Sequence, residues 1–428
     1  MLHVDKVDSL QAETLCITAN RLEARTCYKI VLRFFHSNGT HAAYAVFQAD
    51  CLGCIDLARD APIRGTYHDV DPMGLFSSVL PTQDIKFGSS VRCTKSEPYY
   101  YTLVLFNDFG KKLDEINLKR RWLHPLISRI EVREPEQKLY GYLYKPPGAG
   151  PFPAIIDIQG AGGTMLEMIP TFFASQGFLV LTFMYFQHED LPDAIADVDA
   201  AFFQKPIDLL LDLPYSNGRL GVFGPSFGGL TANFLATKYP QISAVIAVNA
   251  FESFCRDELV MKENGAPIEC ARIDEGGAVW RNGVLGTAPC FRELYENLKP
   301  EHKLPWARVA KSTAFRVIGG MDDMVMDSVQ CARHLHKDLT DNGLYVEMDL
   351  VASGHSLLPP FYPHIPFLYN KFQGLMWAYG GHSVLQEKSQ RTVWARNVEF
   401  YKRFLGCPPK IPDWSREKEV TMPSRSRL

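Results

Sequence analysis

From residue 14 to about residue 122 the chain runs in short segments rich in β-branched and aromatic residues, separated by turn formers. The runs 27–35, 42–47, 54–57 and 99–106 predict strands. Ser37-Asn38-Gly39 predicts a hairpin turn between the first two. With no helix-period segment between them, these strands predict an antiparallel sandwich. Past the Pro/Gly-rich stretch 145–150 the pattern changes to mainly apolar runs at 154–158, 178–184, 220–223, 244–248, 315–318 and 345–351. Helical segments fall between them, the clearest at 191–211 and 227–239, the latter stopped by Pro240. Strands buried on both faces and joined by helices predict a mainly parallel sheet. A last helix is expected from about 382 to 405, with Trp394, Val398, Tyr401 and Leu405 on one stripe, ending at Gly406 before Pro408-Pro409. The expected organisation is a sandwich domain over 1–145, an α/β domain over 146–411 and a loose charged tail over 412–428.

Composition narrows the class. With 45 Lys+Arg against 48 Asp+Glu the net charge is −3, and no long basic block supplies a field for a phosphate backbone, so nucleic acid is not an expected partner. Residues 1–20 carry Asp5, Lys6, Asp8 and Glu13 and lack the apolar core of a signal peptide. No run approaches the ~18 apolar residues of a membrane span. The ten cysteines are expected as free thiols. Cys51 and Cys54 form a CxxC without a second Cys/His pair at zinc spacing, so no metal or cofactor site is expected.

One motif carries chemistry. Gly224-Pro225-Ser226-Phe227-Gly228 sits between the apolar run 220–223 and a helix, the placement of a GxSxG nucleophile elbow. A serine needs a base, and the base an acid to fix its tautomer. Asp322 and Asp323 follow the run 315–318, and His355 follows 345–351. The order Ser, Asp, His is that of an α/β-hydrolase, so this fold is expected behind the N-terminal antiparallel β-sandwich. Asp322 fits a GxxDxxV spacing from Gly319 to Val325 and is the expected acid, with Asp323 the alternative. His188, His334, His336 and His364 do not terminate a strand in the required order. Two amides should form an oxyanion hole: Phe227, next to the nucleophile, and Ala161 in the glycine-rich loop Gln159-Gly160-Ala161-Gly162-Gly163. Residues 249–313 form a long insertion that is either a lid or a decoration.

These residues resemble the acyl-CoA thioesterase and bile acid-CoA:amino acid N-acyltransferase family. Asp71-Pro72-Met73-Gly74-Leu75 is similar to the family's amino-terminal signature, and Glu189-Asp190-Leu191-Pro192, Ser226-Phe227-Gly228-Gly229, Gly354-His355 and Pro359-Pro360-Phe361-Tyr362-Pro363 match in the second half. The resemblance implies Ser226 as nucleophile, Asp322 as acid and His355 as base. It also implies an acyl-CoA substrate, cleaved through an acyl-enzyme to fatty acid and CoA. A serine nucleophile favours hydrolysis over amino-acid conjugation, the alternative; an inactive acyl-lipid binding protein or a general carboxylesterase are readings of other classes. Ser426-Arg427-Leu428 is a variant of the SKL peroxisomal address, which implies an import receptor as partner and a peroxisomal location, with the cytoplasm as the alternative.

Overall fold

A computed structural model describes residues 1–91, 93–370 and 374–424. The N-terminal part holds four long antiparallel strands, Cys27–His36, Gly39–Gln48, Tyr99–Asn107 and Lys112–Arg121, in one sheet. Ser37-Asn38 is the two-residue loop of the first hairpin, since His36 pairs with Gly39. Along Cys27–His36 every second side chain is buried, the period-2 signature of a sheet with one covered face. A smaller sheet of Leu2–Val4, Ile17–Ala19 and Ile55–Asp56 completes this domain.

The second part is an eight-stranded sheet. Its strands are β1 (Ser128–Glu134), β2 (Leu139–Lys145), β3 (Phe152–Ile158), β4 (Leu179–Met184), β5 (Ser216–Pro225), β6 (Ile242–Val248), β7 (Ala314–Gly320) and β8 (Tyr345–Val351). They lie in the order β1-β2-β4-β3-β5-β6-β7-β8. β2 runs antiparallel to β1 and β4, and the remaining pairs are parallel. β3, β4 and β7 are buried along their whole length because helices cover both faces. The helices are α1 (Met168–Ser175), α2 (Gln204–Asp212), α3 (Phe227–Lys238), α4 (Ser328–Asp341) and α5 (Ser383–Leu405). This is the α/β-hydrolase architecture behind an antiparallel domain, as expected.

Three boundaries differ from expectation. The first domain ends before residue 128 and not at 145, because β1 and β2 form a hairpin whose second strand hydrogen-bonds to β4. The stretch 191–211 is not one helix: it holds short 3-10 turns at Ile195–Asp197 and Ala200–Phe203, and only Gln204–Asp212 is α-helical. The tail is not loose where described: Arg416 grips Glu13 at 2.9 and 3.0 Å, and Trp414 packs edge-on against His124 with ring centres 4.4 Å apart. In the insertion, Val279–Arg281 and Val284–Gly286 join Phe367–Asn370 and Leu375–Ala378 in a four-stranded sheet.

Candidate active site

β5 feeds directly into α3 through Ser226, whose φ of 55° and ψ of −125° are a conformation that L residues avoid. The turn is closed by the Ser226 amide donating to the Val248 carbonyl at 2.7 Å. Space dictates its glycines. A Cβ at Gly224 would lie 2.1 Å from the Gly228 carbonyl oxygen, and one at Gly228 2.2 Å from that of Ile158. The strained elbow thus lifts the serine at the carboxyl end of the sheet, at the start of α3.

His355 Nδ1 lies 2.8 Å from Asp323 Oδ2. The same carboxylate accepts the Ser328 hydroxyl and the amides of Val325, at 2.8 Å, and Met326, at 3.2 Å. That many donors pin the carboxylate in place, and an Nδ1–H donated to it would leave Nε2 to accept a proton. The expectation that Asp322 fills this place is corrected. Backbone pairing continues past β7, with Met321 bonding to Val351 and Asp322 to Ser353. Successive side chains therefore point to opposite sides, and only Asp323 faces the histidine. Asp322 is exposed and accepts the Gly381 amide at 2.7 Å.

Among the described residues Ser226 Oγ makes no hydrogen bond to the His355 ring; their segments are joined by Asn249, a residue the sequence reading did not single out. Asn249 directly follows β6, is 1 % exposed and has φ 47°. Its amide nitrogen donates to the carbonyls of His355, at 2.8 Å, and Gly354, at 3.2 Å, while its oxygen accepts the Gly320 amide at 2.7 Å. One side chain thus ties the ends of β6 and β7 to the histidine loop. The available sign was an Asn, the residue most tolerant of left-handed backbone, at a strand end beside the elbow.

The loop after β3 lies against the elbow: a Cβ at Gly160 would sit 3.8 Å from that of Ser226. The loop is fixed from beneath. The Tyr185 hydroxyl donates to the Gln159 carbonyl at 2.8 Å, and the Gln159 amide reaches Asp157, Thr182 and the Leu166 carbonyl. Burial pushes the Asp157 carboxyl up to about 7. Ala161 is exposed one residue beyond Gly160, and Phe227 is buried at the start of α3. Three of the other histidines have local partners: His334 stacks on Tyr295 at 3.7 Å, His364 bonds the Gly381 carbonyl, and His188 packs on Tyr140. Among the described residues no three His, Cys, Asp or Glu side chains are grouped to hold a metal.

Two family models match: "Acyl-CoA thioester hydrolase/BAAT N-terminal region" over residues 12–134 and "BAAT / Acyl-CoA thioester hydrolase C terminal" over residues 198–407. Acyl-coenzyme A thioesterase 3 of Mus musculus is 28% identical over 86% of this chain and 86% of its own. Bile acid-CoA:amino acid N-acyltransferase of Mus musculus is 26% identical over 87% and 89%. Peroxisomal succinyl-coenzyme A thioesterase of Mus musculus is 24% identical over 85% and 86%. Among solved structures, the acylaminoacyl peptidase of Pyrococcus horikoshii is 13% identical with a TM-score of 0.40, covering 94% of this chain and 61% of that one.

Proposed function

Since the chain belongs to the acyl-CoA thioester hydrolase and bile acid-CoA:amino acid N-acyltransferase family, we propose that it hydrolyses acyl-CoA thioesters with Ser226 as nucleophile, His355 as base and Asp323 as orienting acid. The observation that carries this reading is the His355–Asp323 pair at 2.8 Å on the same sheet edge as the strained Ser226 elbow. His355 Nε2 takes the serine proton as Oγ attacks the thioester carbonyl. The amides of Phe227 and Ala161 receive the oxyanion, and CoA leaves as a thiolate, which at a thiol pKa of about 8.5 needs little protonation. His355 returns its proton to the departing thiolate or to solvent, then as a neutral base takes a proton from water, whose oxygen attacks the acyl-enzyme; the fatty acid is released as that proton passes back to Ser226 Oγ. Purified protein is expected to release free thiol from acyl-CoA esters, and Ser226→Ala to lower the rate on the order of 10⁶-fold. Binding without turnover would mark a lipid carrier, and cleavage of oxygen esters alone a carboxylesterase; either result rejects the thioesterase reading.

Conjugation to an amino acid is the second reading, favoured by the likeness to the mouse N-acyltransferase. It requires an amine to outcompete water at the acyl-enzyme. Release of free acid at an unchanged rate with glycine or taurine present would exclude it. We further propose a peroxisomal location, supported by the tripeptide Ser426-Arg427-Leu428, which lies outside the described residues, and by the likeness to a peroxisomal relative. Deletion of Leu428 should move the protein to the cytoplasm; unchanged localisation rejects the proposal.

A further inference from the structure

Two of the sequence signatures that lie outside the catalytic groups meet at one joint. Asp71 of Asp71-Pro72-Met73-Gly74-Leu75 accepts both terminal nitrogens of Arg391 in α5, at 3.0 and 2.6 Å. One turn earlier in α5, the fully buried Glu387 accepts the amide of Phe361 at 2.8 Å. Phe361 belongs to Pro359-Pro360-Phe361-Tyr362-Pro363, on the loop that starts at His355. Its φ is 62°, a left-handed backbone for a bulky residue, so outside contacts must hold it there. They come from both domains. The Phe361 amide goes to α5, and its carbonyl accepts the Gln11 side-chain amide of the N-terminal domain at 2.6 Å. Its ring lies 5.6 Å from the Arg391 guanidinium and 5.8 Å from that of the buried Arg120. The neighbouring Tyr362 hydroxyl donates to the Val91 carbonyl of the same N-terminal domain.

The near end of the loop hangs on the same helix. Gln386, adjacent to Glu387, accepts the Gly354 amide at 2.9 Å and donates to the Ser356 carbonyl at 2.8 Å. Consecutive residues of α5 therefore hold the loop on either side of His355 and again at Phe361, and the N-terminal domain closes the far side. We infer that the N-terminal domain acts as a brace on the active site: Gln11, Glu387 and the strained Phe361 are positioning residues that fix the loop presenting His355 to Ser226. The inference rests on the proposed thioesterase reading and gives the amino-terminal domain a part in it without touching substrate.

The test compares wild type, Ser226→Ala, Gln11→Leu, Glu387→Leu and Glu387→Gln in the full chain. Turnover is counted per active site by end-point labelling with a serine-directed phosphonate, and amide exchange is followed over residues 354–366. Gln11→Leu and Glu387→Leu should lower kcat about tenfold, the loss of roughly one buried hydrogen bond, with KM within about twofold. Exchange over 354–366 should rise while Tyr99–Asn107 stays protected. Glu387→Gln keeps an acceptor and should recover most of kcat. Wild-type kcat and exchange in both leucine variants would overturn the brace, as would a loss seen only in KM or in the fraction of sites labelled. If wild type and Ser226→Ala release thiol equally, the thioesterase reading fails instead; the exchange result then still accepts or rejects the loop's dependence on Gln11.

Discussion

A carboxylate orients an imidazole only from the side of the chain that its backbone register presents, and neighbouring residues at a strand end present opposite sides. Asp323 and Asp322 form such a pair, one buried against His355 and one exposed to the Gly381 amide. Asp323→Asn should lower kcat on the order of 10⁴-fold by stabilising the wrong tautomer, whereas Asp322→Asn should stay within about threefold. Side-by-side kinetics decide it, and the reverse ranking would return the acid role to Asp322. Asn249 is the next residue to test. Asn249→Asp keeps the acceptor for Gly320 but sets a carboxylate oxygen against the carbonyls of Gly354 and His355. It should lower kcat by ten- to a hundredfold, roughly two lost hydrogen bonds, with little change in KM; wild-type kcat would dismiss it. Glycines and strand order put Ser226 at a strand–helix turn and His355 after the last strand of the larger sheet, and both positions hold in the fold. The sequence could not separate Asp322 from Asp323, since that depends on how far pairing runs past Gly320. Nor could it reveal Asn249, whose three partners lie 71 to 106 residues away.

Among the elements, β3 carries a buried acid. Asp157 is fully buried and, among the described residues, hydrogen-bonded only by Gln159 and Thr182, and its Oδ1 has no partner. Its folded pKa stands near 7 against 3.8 unfolded. Between those values the folded state holds a proton that the unfolded state has released, so this group's contribution to stability declines as pH rises from about 4 to about 7. Asp157→Asn should remove that slope. Relative to wild type, the variant should gain about 2–3 kcal/mol between pH 5 and pH 8, measured by denaturant unfolding at each pH. A difference that does not change with pH would mean Asp157 is ionised throughout. The element pattern was legible wherever burial was complete, as in β3, β4 and β7. It misled at 139–145, where a strand followed by Pro146-Pro147-Gly148 looks like the end of a domain but pairs with β4 inside the next one. It misled again at 191–203, where apolar spacing suggested continuous helix and the chain instead makes short 3-10 turns.

At the scale of the whole molecule, one buried cluster runs from Phe34 and Tyr101 through Trp122, Phe361 and Tyr362 to Trp394 and Tyr401, so the two domains share a core. The segment after α5 returns across the N-terminal domain and strengthens this union. Arg416 bonds Glu13 twice and lies 3.8 Å over the Trp414 ring, Glu417 takes the Arg121 guanidinium and Lys119, and Val420 is buried. Charge alone suggested a solvated tail; here opposite charges on the other domain are the partners. Desolvation opposes the Glu13 carboxylate, yet its bonds to Arg416, Leu10 and Lys6 hold the pKa below the usual value. That stability is present above the unfolded pKa and is lost as pH falls through the lower, folded one. Truncation after Pro412 should therefore destabilise the protein by about 2–4 kcal/mol, the sum of a bidentate pair and a packed aromatic, at neutral pH. Thermal melting of the truncated chain, wild type and a chain lacking only residues 426–428 reads this directly. The short deletion should melt as wild type, and the long one should melt lower with a deficit that narrows toward pH 4. Equal melting of all three would mean that the segment lies on the domain without holding it.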